Sequence, residues 1–439
     1  MKKTSQLHNK WTGKTIPELK TIKLKMDVNN RGERPKSLID DLRPLWKFTR
    51  YTAILPDWCQ QTENNGNTLR KVLLRFGVFL GWIITTVSII YDWFILYNDM
   101  KTNTSERELN RVINTLFNSW LLILTFVIQS HIIYHHSSYL SFFRDWNILE
   151  QHLHRTINFS SLNTPKKMVY ITSSVLPILK LFGVVYILFT LKTTCTDLKC
   201  YYYPMTETLT PTFSIIFLIV SKVLTVFFIF FHDVLPALVY SHISCAINRL
   251  QVKMEQNFSA ITCVNSLSID RSTTFVNQVR RCWRLFDTVS NLTDIANHLF
   301  GCIFLVDQAF SVIFVCFLTH GFLCVVIYNF DFFKAFITLF LNIIFIIRLI
   351  FFNLKLVNVQ STTIKLRQKI TSLSIQHWSL MTGEERSVTD ALLNRILQDP
   401  IGAAPMDLYT VELSIFLPLL GLIISNVVVL LQNHPIEMQ

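Results

Sequence analysis

The stretch Leu408–Gln432 reads LYTVELSIFLPLLGLIISNVVVLLQ. Its apolar part, Val411 to Leu431, reaches the roughly 20 residues that a helix needs to cross the hydrocarbon core of a bilayer. It closes on Ser425-Asn426, five aliphatic residues and Gln432. A polar amide at the mouth of an aliphatic helix end is costly in lipid and at home beside water. Gln432 therefore marks either the interface where the helix leaves the membrane or the edge of a water-filled path.

The rest of the chain has the same character. Hydrophobic residues make up 51% of the 439 and charged residues 16%, whereas soluble domains carry roughly 25% charged residues. The 35 phenylalanines suit lipid-facing and helix-packing surfaces. A net charge of +12 reads as the cytoplasmic Lys/Arg excess of a polytopic membrane protein rather than as a nucleic-acid footprint. The nine cysteines show no CxxC or other metal spacing, and most lie inside apolar runs. Cys195 and Cys200 flank a short polar loop, where they pair if that loop faces an oxidising compartment. Residues 1–70 are polar and basic, so the first apolar run acts as an internal, uncleaved anchor.

Seven apolar runs follow, near Val72–Tyr97, Val112–Tyr134, Val169–Leu191, Phe213–Val239, Ile295–Ile327, Phe336–Leu356 and Val411–Leu431. Backbone satisfaction in lipid makes each a helix. The fourth and fifth are overlong and are expected to continue beyond the bilayer. Of the 41 Lys and Arg, the segments on one side carry only Lys101, Arg107, Arg111, Lys192, Lys199 and Lys334. This asymmetry places the N-terminus inside and, with seven spans, the C-terminus outside. The expected fold is an all-α membrane protein with helical extensions into the cytosol. Residues 1–70 form a largely flexible cytosolic segment, with a short amphipathic stretch at Leu45–Leu55, and residues 71–439 the membrane domain. In the inside loops, Val276, Val279, Trp283, Phe286 and Val289 fall at helical spacing. Residues 358–410 read as helix, turn at Thr382-Gly383, helix, with Ser387 to Asp390 at capping-box spacing. The sequon at Asn103 lies outside and is open to glycosylation; those at Asn158, Asn257 and Asn291 lie inside and stay bare.

No phosphate loop, dinucleotide fingerprint, HExxH or GxSxG occurs, so the chain is not read as an enzyme, and no cofactor is expected. His131, His135 and His136 sit at a helix end, the first two at i and i+4. Without an acidic or cysteine partner they read as interfacial histidines rather than a metal site. Ionisable residues inside spans are the stronger signal, because lipid makes them expensive. Lys180, Lys222, Asp307 and Arg348 must face the bundle interior, a cavity or one another, Asp307 pairing with a Lys or Arg. Near the outer ends gather Trp93, Tyr97, Asn118, Trp120, Tyr186, Phe213, Phe217, Tyr328 and Asn342. These residues are either an aromatic belt or the lining of a pocket for a small organic ligand.

The layout and the last helix resemble the insect gustatory receptors, relatives of the odorant receptors. Their C-terminal signature is Thr-Tyr, five hydrophobic residues, Gln and Phe, and here it stands as Ser425-Asn426-VVVLL-Gln432-Asn433. Glu412 precedes the span where the family carries an acid or amide. Asn426 replaces the family's tyrosine and Asn433 its phenylalanine. The resemblance implies a homotetramer, or a heteromer with related receptors, in the plasma membrane of a chemosensory neuron. It implies a tastant-gated, non-selective cation channel in contact with membrane lipid, and no nucleic-acid partner. The last helix would line the pore, with Gln432, Val428 and Ser425 on its water face. Leu431 or Val428 would close the gate where Asn433 replaces the aromatic, and residues 358–410 would form the subunit anchor. Val427 stands where the sugar-receptor branch has glutamate, so bitter or other plant compounds are the expected ligands, with sugars or other nutrients the alternative. A G-protein-coupled receptor, the other seven-helix reading, would need an outside N-terminus and an NPxxY motif, and neither is found.

Overall fold

The 30 Å hydrocarbon core of a bilayer is far shorter than the three longest described helices of this chain. The structure is a computed structural model. It describes residues 123–156, 211–263, 269–327 and 332–432, with Leu38, Asp40 to Leu42 and separate residues within 76–90 and 169–178. The chain divides into Met1–Pro35 and Lys36–Gln439, and every described residue belongs to the second unit. Its helices are α1 (His136–Thr156), α2 (Pro211–Cys263), α3 (Ile269–Ile327), α4 (Phe332–Gln376), α5 (Gly383–Gln398) and α6 (Phe416–Gln432). An apolar helix, Ile123–Tyr134, leads through a turn at His135 into α1. No strand occurs among the described residues.

Helices α2, α3 and α4 have 53, 59 and 45 residues. At 1.5 Å per residue they run roughly 80, 90 and 70 Å, so each continues well past any bilayer, as expected for the fourth and fifth runs. Ser272–Ile327 and Thr338–Gln376 are long and apolar enough to cross a membrane, and Ile123–Tyr134 and Leu413–Val429 are shorter apolar helices. The first and third runs fall largely outside the described residues. Where the first is seen, Trp82 stacks on Phe126 and donates its indole N–H to Ser130 Oγ at 3.0 Å, which docks it on the second.

Helix α3 is the hub, packing against α1, α2, α4, α5 and α6. Where α1 meets it, Tyr139 and Phe142 set their rings edge-on to Phe300, and Trp146 stacks on Phe142. Farther along, Val276, Val279, Phe286 and Val289 are buried, as their helical spacing predicts, while Trp283 is partly buried. Val279, Phe286 and Val289 pack in one core with Phe258, Leu366, Leu392 and Ile396 of α2, α4 and α5, and Trp283 packs against it. The 358–410 segment needs two corrections. The capping box is not Ser387–Asp390, which lies inside α5. It is Thr382, whose hydroxyl accepts from the Glu385 N–H at 3.3 Å while its own N–H donates to Glu385 Oε2 at 2.7 Å. The turn before it decides the matter, because Arg386 stacks on the Trp378 ring and donates twice to its carbonyl, leaving Thr382 extended. Secondly, the second helix stops at Gln398, and residues 399–412 form an irregular linker. The last helix likewise starts at Phe416, after a single turn at Leu413–Ile415, and not at Val411. Pro418 lacks an N–H and clashes with a helical carbonyl four residues back, so it fits only the first turn.

Two buried charge clusters lock the helices together. Arg348 of α4 donates to both carboxylate oxygens of Asp233 on α2, at 2.9 and 2.5 Å. On α3 it meets Asp307 at 2.5 Å and Ser311 Oγ at 2.7 Å. The expected pairing of Asp307 is thus with Arg348. In the second cluster, His242 of α2 lies between Asp41 at 3.2 Å and Glu150 at 3.3 Å, and Glu150 also accepts from the Leu38 N–H. Burial alone would lower the imidazole's pKa, but hydrogen bonds to Asp41 and Glu150 overcome it and raise the value. Leu38 and Leu42 are fully buried. Within the segment expected to be largely flexible, Leu38 and Asp40 to Leu42 are helical here, where a carboxylate meets a buried histidine.

Removing one partner of a buried ion pair leaves uncompensated charge and costs about 3–5 kcal/mol. Arg348→Leu strands two carboxylates and should lower stability by that amount, whereas Arg348→Lys should recover part of it. Thermal unfolding in detergent, followed by size-exclusion chromatography, reads the difference. A midpoint for Arg348→Leu equal to that of the parent would contradict the assignment.

Candidate functional site: the last helix and its linker

Helix α6 has two unlike faces. Leu419, Ile423 and Val427 recur at i, i+4 and i+8 and pack against Val312 and Cys316 of α3 and Leu349 of α4. Cys316 Sγ adds a weak contact to the Ile423 carbonyl at 3.9 Å. At 100° per residue, Ser425, Val428 and Gln432 share the opposite side, and all three are exposed. Leu417, Leu420, Ile424 and Val429 are exposed as well, so among the described side chains the helix packs on its own chain along a single seam. Asn426 turns its amide back onto its own helix, donating to the Leu422 carbonyl at 2.8 Å. The Leu431 side chain and Asn433 lie outside the described residues.

What places α6 is the linker from α5. Its chain closes on itself where the Val411 N–H donates to the Ala403 carbonyl at 2.8 Å. Met406 and Asp407 have φ of 54° and 56°, a left-handed conformation that side-chain-bearing residues rarely adopt. This turn lies directly on Gly301 of α3, where an added Cβ would stand 2.5 Å from the Met406 nitrogen and 2.8 Å from Pro405 Cα. Only glycine permits that approach. Polar contacts hold the rest of the linker. Asn297 accepts from the Tyr240 hydroxyl and donates to the Gly402 carbonyl, each at 3.1 Å. Thr363 donates to the Ile401 carbonyl at 2.9 Å, Tyr409 to Gln308 at 3.3 Å and Gln360 to Glu412 at 3.0 Å. His298 meets Asp407 at 3.2 Å. One residue on, the Leu299 carbonyl is bonded by His131 and by the Tyr139 hydroxyl. The second apolar run, α2, α3 and the linker therefore meet within two turns of α3.

Asp294 stands at the edge of this joint. Asp294 is exposed on α3, and partial desolvation of its carboxyl, then the charges of Asp399 and Asp407, push it up from 3.8 to about 6, against the opposing pull of His298 and Arg395.

With this geometry in hand, the chain superposes on the olfactory receptor OR5 of Machilis hrabei with a TM-score of 0.59, covering 89% of this chain and 97% of that one at 14% identity. The same receptor in complex with eugenol gives 0.56, covering 89% and 98% at 16% identity. The chain has the insect olfactory receptor fold. No family model matches the sequence and no curated protein does.

Within this olfactory-receptor fold the residues singled out from sequence are placed unevenly. Ser425, Val428 and Gln432 come together on one face. Asn342 is buried in α4 and donates to Thr319 of α3 at 2.8 Å, which places it between two helices. Phe213 and Phe217 lie on α2, with side chains outside the described residues, as are Trp93, Asn118, Trp120, Tyr186, Tyr328 and the sequon at Asn103. The His131 and His135 rings are tilted at 45° with centroids 4.6 Å apart, and no group of three metal-capable side chains forms among the described residues. Asn257 is buried and donates to Cys282, so its sequon is not presented. Asp233, Asn297, Gly301 and Gln308 were not foreseen. The criterion that selected Asp307, a carboxylate inside an apolar run, also selects Asp233.

Gly301→Ala should cost about 1–3 kcal/mol through overpacking and raise hydrogen exchange in 401–411; unchanged exchange there would refute the close approach. Asp294 makes a second prediction. Its folded value exceeds its unfolded one, so its contribution is complete below about pH 4 and lost as pH rises through about 6. The linker should be better protected at about pH 5 than at pH 7 after correction for intrinsic exchange, and Asp294→Asn should flatten the difference. A pH response that survives the substitution would exclude Asp294 as its source.

Proposed function

We propose that the chain is a gustatory receptor: a tastant-gated, non-selective cation channel that assembles as a tetramer in the plasma membrane of a chemosensory neuron. The observation that carries this reading is the face of α6 opposite its packing seam. A polar-edged stripe of Ser425, Val428 and Gln432 that stays exposed in the single chain and lies off the packing seam suits a water-filled axis shared by several copies. The resemblance of the Ser425–Asn433 spacing to the gustatory signature supports it, as does the likeness to an olfactory receptor solved with a small molecule. That likeness favours a chemoreceptor channel over a G-protein-coupled receptor. Val427 in place of the sugar branch's glutamate favours bitter or other plant compounds.

In this mechanism a small ligand binds among the outer halves of the helices that include Asn342 and favours the state in which α6 moves away from the axis. It acts only through its differential affinity for the open state. The linker between α5 and α6 is the element through which α3 restrains that movement. Residues 358–410 anchor the subunits to one another.

Whole-cell recording during dose series of plant alkaloids and sugars tests the ligand class. Gln432→Lys tests the pore. A cation at the mouth should cut inward cation current several-fold and shift permeability ratios, while Gln432→Asn leaves them close to the parent. Parent-like permeation and block in Gln432→Lys, with the protein at the surface, would remove α6 from the pore.

A further inference from the structure

The short stretch from Leu38 to Leu42 is gripped by three other parts of the chain at once. Its Leu38 N–H donates to both carboxylate oxygens of Glu150 on α1, at 3.0 and 3.1 Å. The Asp41 carbonyl accepts from the Tyr170 hydroxyl of the third apolar run at 2.7 Å. The Asp41 carboxylate meets Nε2 of His242 on α2 at 3.2 Å. Leu38 and Leu42, one helical turn apart, join the main core, while Asp40 between them is exposed. His242 is the centre of this grip, because its Nδ1 also meets Glu150 Oε1, at 3.3 Å. The imidazole is only 4% exposed.

An ionised carboxylate only accepts hydrogen bonds, and a neutral imidazole has one N–H and one lone pair. With a carboxylate oxygen at each ring nitrogen, only the doubly protonated ring donates on both sides. A neutral ring would set its lone pair against a buried carboxylate, which is costly. We propose that His242 is a proton-operated clasp: as imidazolium it docks Leu38–Leu42 onto α1 and α2, and loss of that proton releases the segment. The other titratable groups nearby leave this role to His242. Tyr170 is engaged by the Asp41 carbonyl. Cys245 lies one turn along α2, with Arg249 and Lys355 acting on it, and Asp145 and His152 lie on other faces of α1 from Glu150. Burial lowers the His242 pKa, but hydrogen bonds to Asp41 and Glu150 outweigh it and raise the value. Release removes the Asp41 share, so the docked state holds the proton more tightly than the released one. Docking is therefore complete below the released-state value and is lost as pH rises through the docked one. Because Tyr139 of α1 and His131 before it both hold the Leu299 carbonyl, the clasp ties α2 to the helices that meet the linker. It stands on the fold and not on the taste assignment.

Hydrogen exchange of the full chain in detergent micelles, corrected for intrinsic rates, reads docking at residues 38–42 between about pH 6 and about pH 8.5. Protection in the parent should fall with rising pH, by up to about tenfold per unit. Asp41→Asn should stay docked across the range and lose the slope, because an amide can donate to a bare ring nitrogen where a carboxylate cannot. His242→Gln should be protected several-fold less than the parent at the acid end, again without slope. If that variant aggregates, Asp41→Asn decides alone. Asp294→Asn, at the linker, should keep the parent's slope at 38–42. Parent protection that does not change with pH would overturn the clasp. So would a slope that survives in Asp41→Asn or His242→Gln, loss of docking in Asp41→Asn, or a slope abolished by Asp294→Asn.

Discussion

One guanidinium holds the centre of this protein. Arg348 reaches two carboxylates and a hydroxyl on two other helices from within an apolar bundle. A bare charge there is untenable in lipid or in a dry core. Four side chains must therefore be present together, and the geometry that brings them together fixes how α2, α3 and α4 sit. Packing alone would not do this, because apolar helix faces in a membrane slide past one another at little cost. The same two helices, α3 and α4, supply the seam for α6, with Ser311 and Arg348 each adjacent in sequence to a seam residue, Val312 or Leu349. The last helix is mounted on the part of the molecule that the charges make rigid.

By contrast, α6 itself is lightly held. Among its described side chains one is buried, Val427, and the other large ones are partly or fully exposed in the single chain. Elements with few buried contacts are the ones that move. Its attachment runs through a linker with two left-handed residues seated on a glycine. Such conformations cost of order 1–3 kcal/mol each and persist only where the surroundings over-determine them. Here the surroundings are α3, with support from Tyr240, Thr363 and Gln360. Because the Leu299 carbonyl also takes His131 and Tyr139, a displacement of the second apolar run acts on the same two turns of α3 that seat the linker. On the proposed reading, this arrangement would give a ligand bound elsewhere in the bundle a short physical route to α6.

Lipid explains what the sequence could show. It demands long apolar runs and internal hydrogen bonds, so the helices and their overlong extensions were readable as composition. It also makes a charge in a span conspicuous, so the pairing of Asp307 was foreseeable, and Asp233 was visible by the same rule. The two faces of α6 followed from helical spacing. Close approach left no such mark. Gly301 is one glycine among many until the turn that rests on it is known, and the left-handed pair at Met406-Asp407 has no glycine to announce it. Two capping-box patterns stand close together, at Thr382 and at Ser387, and only the Trp378–Arg386 contact selects Thr382. Leu38 and Leu42 lie in a polar segment, and their burial depends on Glu150 and His242, more than a hundred residues away.

The central claim is that Ser425, Val428 and Gln432 face water while Ile423 and Val427 face the bundle. Single cysteines at these five positions, probed by a small charged thiol reagent during current recording, test it most directly. The account predicts block at Ser425→Cys, Val428→Cys and Gln432→Cys, and silence at Ile423→Cys and Val427→Cys. Block confined to the latter pair, or equal at all five, would contradict it.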